Sequence, residues 1–104
     1  MELTGKQRRH LRALAHHLEP VVRVGAAGVT AAVIAKTDVE LENHELIKVK
    51  VGEGSPLSRD EAAPLLAEGT GAAIAQTVGR IIVLYRRRSK KPTIRLPKRG
   101  AAPS

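Results

Sequence analysis

Leu11, Leu14, Ala15 and Leu18 recur at the i, i+3, i+4, i+7 spacing of one helical face. Thr4 and Gln7 stand before them at capping-box spacing, so a helix is predicted from about Gly5 to His17, with Arg8, Arg9, Arg12 and His16 outside its buried stripe. Pro20 stops it, and Val21 to Val24 reads as a first strand. Thr30 is placed to cap a second helix running to about Asn43, with Val29 able to pack on Ile34 as a hydrophobic staple and Val33, Ile34, Thr37 and Leu41 facing inward. Leu46 to Val51 alternates, with Ile47, Val49 and Val51 on one side and Lys48 and Lys50 on the other, as in a strand with one wet face. Gly52 to Pro56 is a turn, and Ser58 and Glu61 form a second capping box opening a third helix to about Glu68. Pro64 inside that helix predicts a kink or a late start, since proline removes a backbone donor and clashes with the preceding turn.

Ala72 to Val78 and Arg80 to Arg86, joined at Gly79, read as an antiparallel hairpin, with Ile81, Val83 and Tyr85 on one face of the last strand and Ile82 and Leu84 on the other. The order α-β-α-β-α-β-β implies a two-layer α/β domain: one mixed four-stranded sheet with three helices. Residues 1–88 are assigned to this domain. Residues 89–104, with three prolines and Gly100, are assigned to a basic, mostly disordered tail in which Thr93-Ile94-Arg95-Leu96 is able to pair briefly or fold on a partner.

Charge sharpens this picture. The net charge is +8, and ten of the eighteen Lys and Arg residues lie before Arg86 together with all ten acids, so that part is neutral. The whole excess sits in Arg86, Arg87, Arg88, Lys90, Lys91, Arg95, Lys98 and Arg99, a segment suited to a polyanion, or simply to keeping the chain soluble. Lys6, Arg8, Arg9 and Arg12 gather at the start of the chain, while Asp38, Glu40, Glu42 and Glu45 cluster at the end of the second helix, so one basic and one acidic surface are expected. The acids of that helix are expected to be solvated.

Gly25-Ala26-Ala27-Gly28 sits between the first strand and the second helix. Two glycines at this spacing allow bare backbone to meet a phosphate beside a helix N-terminus, although the same spacing also serves a tight connection. Catalytic chemistry has little support. The four histidines (His10, His16, His17, His44) lack a metal spacing, there is no Cys, Ser55 and Ser58 have no evident base, and no Walker-type lysine follows the glycines. No enzyme activity, metal, cofactor or small-molecule substrate is expected. Apolar runs are short and no signal-peptide pattern opens the chain, so a cytoplasmic, monomeric protein without membrane contact is expected. Phe and Trp are missing and Tyr85 stands alone, which excludes stacking on a sheet face as the main device for nucleic acid and leaves phosphate-led recognition. Candidate contacts are the loop Gly25, Ala26, Ala27 and Gly28, then Lys6, Arg8, Arg9 and Arg12, then Arg23, Lys48 and Lys50, and the basic run Arg86, Arg87, Arg88, Lys90 and Lys91.

Leu3-Thr4 with Lys6-Gln7, Leu11 with Leu14-Ala15-His16, Pro20-Val21-Val22, the glycine loop followed by Thr30, His44 to Lys50, Thr70-Gly71-Ala72, and Val78-Gly79 leading to Leu84-Tyr85-Arg86 together resemble the CRM domain (chloroplast RNA splicing and ribosome maturation), in its stand-alone bacterial YhbY-type form. The resemblance runs from about Leu3 to Pro97. It implies a fold similar to the C-terminal domain of bacterial translation initiation factor three, a GxxG loop that binds RNA as in KH domains, and association with ribosomal RNA in precursors of the large subunit. Ala26 and Ala27 depart from the polar or basic residues relatives often carry, which shifts the loop's contacts to its backbone. Pro64 and the alanine-rich third helix are unusual, and the basic tail after Leu96 extends past the usual domain end. The alternative is a module that binds a ribosomal protein or assembly factor through the acidic end of the second helix, without RNA contact.

Overall fold

Both capping boxes close. The Thr4 hydroxyl accepts from the Gln7 N–H at 3.1 Å while Gln7 Oε1 accepts from the Thr4 N–H at 3.0 Å, and Ser58 and Glu61 exchange the same pair of bonds at 3.2 and 2.9 Å. Thr30 caps through the Val33 N–H at 3.1 Å. In the computed structural model, which describes residues 2–98, these caps open three helices: α1 (Gly5–Ala15), α2 (Ala31–His44) and α3 (Arg59–Thr70). The strands are β1 (Pro20–Val24), β2 (Leu46–Val51), β3 (Ala73–Val78) and β4 (Ile81–Tyr85). They form one sheet in the order β1-β2-β4-β3, with β1 parallel to β2 and the other pairs antiparallel. The expected order and mixed sheet are therefore present, and the element ends differ from expectation by one or two residues.

Alternation along the strands sorts the core into two parts. Val22, Val24, Ile47, Val49, Ile82 and Leu84 meet Leu41 of α2 and Ala62, Ala63 and Leu66 of α3 on one face. Leu46, Val83, Tyr85, Ala73 and Ala75 meet Leu3, Leu11 and Ala15 on the other, where α1 crosses β2, β3 and β4. Strand β3 breaks the alternation. Its register with β4 shifts between Ile74 and Gln76, so Ala73 opposes Tyr85 and Ile74 opposes Leu84, but Gln76 opposes Val83 and Val78 opposes Ile81. The extra residue turns Gln76 and Val78 onto the α1 face.

Four expectations are corrected. The buried seam of α1 is Gln7, Leu11 and Ala15, not the stripe through Leu14 and Leu18. Helix α1 stops at Ala15, so Leu18 lies beyond it, and Leu14 stays 44% exposed. A glutamine fits the inward position because its Nε2 donates to the Pro97 carbonyl at 2.9 Å while its Oε1 completes the cap. Of the kink or late start expected at Pro64, the late start is absent: α3 begins at Arg59 and runs through Pro64 to Thr70.

Third, Glu45 is not a solvated acid of α2. It is fully buried at the helix C-cap with φ +65°, a conformation costing about 1–3 kcal/mol for a residue with a Cβ. Its Oε1 accepts from the Thr93 N–H (2.6 Å), the Thr93 hydroxyl (2.8 Å) and the Ile94 N–H (3.0 Å), and Oε2 accepts from the Arg88 N–H (3.2 Å). Burial alone would raise this carboxyl, but the donors outweigh it and hold its pKa below the ordinary 4.5.

Fourth, the packed unit does not stop at Arg88. Residues 89–98 have no regular secondary structure, yet Ile94 and Leu96 pack on the α1-face core and Pro97 receives Gln7. The segment folds on its own domain; the expected disorder of residues 99–104 lies outside the described residues.

Two outcomes follow. Pro64 is exposed and its missing N–H leaves the Asp60 carbonyl without its helical donor, so Pro64→Ala should raise stability by about 1–3 kcal/mol in a urea titration. A carboxyl whose folded pKa is depressed contributes stability that is fully present above its unfolded value and is lost as pH falls through the folded one. Wild-type stability should therefore drop on acidification below about pH 4.5, and Glu45→Gln should be less stable at pH 7 with a flatter profile across that acid window, as read by melting temperature against pH.

Candidate nucleic-acid interface

The glycine loop is a tight turn in which the Gly28 N–H donates to the Gly25 carbonyl at 3.0 Å. Gly28 has φ +75°, which is why glycine is needed there, and it is buried against Pro56 and Leu57. Gly25 differs. Its φ is not positive and a Cβ there would meet nothing within 4 Å, so nothing in the fold requires glycine at this position. Ala26 and Ala27 are exposed at the tip. The base of the loop is held where the Gly52 N–H donates to the Val24 carbonyl at 2.9 Å.

Register carries the basic residues from this loop across the α1 face. Arg23 is paired with Lys50, Lys50 with Ile81, and Lys48 with Val83, so all three lysine and arginine side chains leave the sheet on the side of Val83 and Tyr85. Beside them Arg9 and Arg12 of α1, with His16 and His17 just after it, flank a groove of about 740 Å³ whose sheet side is Lys48, Gln76, Val78, Ile81 and Val83. Among the described residues no carboxylate lines this groove. Lys6 and Arg8 are exposed on α1 but stand outside it.

The basic run after β4 divides. Arg86 does not face outward; its guanidinium binds Asp38 and Glu42 of α2 and donates to the Thr70 carbonyl at 2.8 Å. Arg88 donates to the carbonyls of Asn43 and Lys91, each at 3.0 Å. These two cations tie α2 to the C-terminal segment, whereas Arg87, Lys90 and Lys91 are exposed. The acidic end of α2 is correspondingly neutralised: Glu42 also accepts from Ser89, and Glu40 pairs with Lys36 at 2.9 Å and with His44 at 3.3 Å. Hydrogen bonding from Lys36 is the main cause holding the Glu40 carboxyl below its ordinary pKa. An acidic docking surface at this end is thus largely absorbed into the fold.

Sequence reasoning did not single out Gln76, Val78, His16 or His17 as a group. Only the bulge in β3 brings the first two to the others, and no local pattern announces it. Tyr85 is buried, and burial followed by the nearby Glu45 charge pushes its phenol up, so it offers no stacking platform. Among the described residues no three His, Cys, Asp or Glu side chains gather as metal ligands, and no helix is long and apolar enough to cross a membrane.

Comparison with known proteins places this geometry in a family. "Probable RNA-binding protein YqeI" of Bacillus subtilis is 41% identical over 95 residues, spanning 91% of this chain and 99% of that protein. An "RNA-binding protein" of Haemophilus influenzae is 42% identical over 97 residues, spanning 93% and 97%. The solution structure of a Staphylococcus aureus protein, described as a candidate RNA binder, superposes with a TM-score of 0.79 at 41% identity, covering 92% of this chain and all of that one. The model of the CRS1 / YhbY (CRM) domain matches residues 3–86, and with relatives of this similarity and extent the chain belongs to the CRS1/YhbY (CRM) domain family.

Proposed function

We propose that this chain is a non-catalytic, monomeric, cytoplasmic RNA-binding protein that acts on ribosomal RNA in precursors of the large subunit. Relatives that share two-fifths of its residues are named as RNA-binding proteins, and the family resemblance supplies the ribosomal setting. The observation that carries the reading is a sorting of charge. Lys36, Arg59 and Arg86 have carboxylate partners, while Arg8, Arg9, Arg12, Arg23, Lys48 and Lys50 have none among the described residues. The second group lies on α1 and on the sheet face that α1 crosses, and it leads toward a loop whose Gly25 stands in open space. Phosphates approaching that face would meet cations already free of internal partners, and loop amides unshielded by side chains. Arg87, Lys90 and Lys91 extend the positive field at its far end, while Arg86 and Arg88 hold the fold.

Replacing Ala26 and Ala27 with Asp keeps both glycines and puts two negative charges at the loop tip. Affinity for ribosomal RNA should fall at least about tenfold while stability stays within about 0.5 kcal/mol, because both positions are exposed. Unchanged affinity in a folded variant would remove the loop from the interface. Arg9→Gln with Arg12→Gln should reduce the slope of log K against log salt by about 1.4, at ~0.7 per single-strand phosphate contact. The ribosomal assignment is tested by ultraviolet crosslinking of the protein in cells: crosslinks should concentrate on large-subunit ribosomal RNA in precursor particles, and a spread over unrelated transcripts would refute it.

A further inference from the structure

The groove beside α1 holds more than phosphate chemistry needs. Its rim is cationic, but its floor is aliphatic, built from Val78, Ile81 and Val83, and Val78 is 53% exposed. Gln76 lies in the same floor, half-buried, and its side-chain amide makes no hydrogen bond to any described residue. Both residues are there because of the bulge. With unbroken alternation from Ala73, Gln76 and Val78 would have followed Ile74 to the α2–α3 face, an apolar core in which a glutamine amide has no partner. Bulges that re-aim a side chain in this way are frequent beside functional sites.

An amide presents a donor and an acceptor side by side, whereas phosphate oxygens only accept. Its match is the edge of a nucleobase, which offers the reverse pair. Aliphatic side chains complement the face of that base, and Arg9, Arg12 and Lys48 stand where its flanking phosphates would run. A base inside a helix has its edge occupied and its faces stacked, so the groove suits an unstacked one. Resting on the RNA-binding reading above, we propose that this groove takes one unpaired nucleotide of the RNA, with its base on Val78 and Ile81 and its edge hydrogen-bonded by the Gln76 amide. Gln76 is then a specificity-determining residue, and base preference enters through it although the protein has no Phe or Trp and its one Tyr is buried.

The test measures fluorescence anisotropy with labelled twelve-nucleotide strands of oligo(U), oligo(A) and oligo(C) and with a twelve-base-pair RNA duplex, all at one salt concentration. Wild-type protein should bind its preferred single strand at least about fivefold tighter than the duplex and than its least favoured homopolymer. Gln76→Leu should compress that spread to within about twofold with the slope of log K against log salt kept, because it removes the amide and no charge. Gln76→Thr, which suits a strand better, should do the same and serves if the leucine variant fails to fold. Equal binding of all strands by wild type, or a wild-type spread retained in a folded Gln76 variant, overturns the base subsite while RNA binding stands. No binding of any RNA overturns both.

Discussion

One carboxylate organises the far half of this molecule. Glu45 ends α2 in a left-handed conformation, turns the chain into β2, and accepts four hydrogen bonds from Arg88, Thr93 and Ile94, residues 43 to 49 positions further on. A buried carboxylate left unpaired would be far too costly to keep ionised, so the helix end and the C-terminal segment stabilise each other. Arg86 adds a second tie, fixing the same helix from Asp38 to Glu42 and reaching the end of α3 at Thr70. Much of the positive charge that looks free after β4 is therefore structural.

That anchoring decides which part of the sheet is open. On the α2–α3 face two helices cover the strands. On the other face α1 is the single helix, and the described part of the C-terminal segment lies on the strip near Tyr85, where Ile94 and Leu96 complete the core. The remaining strip, over β3 and the first residues of β4, is left as the groove between Arg9, Arg12 and Lys48. Coverage by a single helix thus creates the concavity, and the register of β1, β2 and β4 fills its surroundings with cations that have no carboxylate partner among the described residues.

In the proposed interface the loop offers backbone and the groove offers side chains. Gly28 is a structural glycine, required by its positive φ, whereas Gly25 has no such requirement and faces open space. Alanines between them keep the tip uncharged, so the local field comes from Arg23 and Lys50 rather than from the loop itself. Binding at the proposed interface is led by phosphates and tuned by geometry, in keeping with a chain that has no Phe or Trp and whose one Tyr is buried.

Local chemistry was legible in the sequence by itself. Caps act over three residues and strand alternation over two, so Thr4, Ser58 and Thr30, the alternation of Leu46 to Val51, and the two faces of Ile81 to Tyr85 declared the elements and their order without reference to anything distant. The glycine loop and the basic start of the chain were visible for the same reason. Only the tertiary structure decided that Gln7 points inward, that Leu14 stays out, that Arg86 and Arg88 turn back on α2, and that Glu45 is buried. Leu14 apart, each of these depends on a partner dozens of residues away, and a polar side chain reads as solvent-facing until that partner is in place. The bulge at Ala75 belongs with them, because register is settled between strands, and it alone sends Gln76 and Val78 to the face where the unpaired cations are.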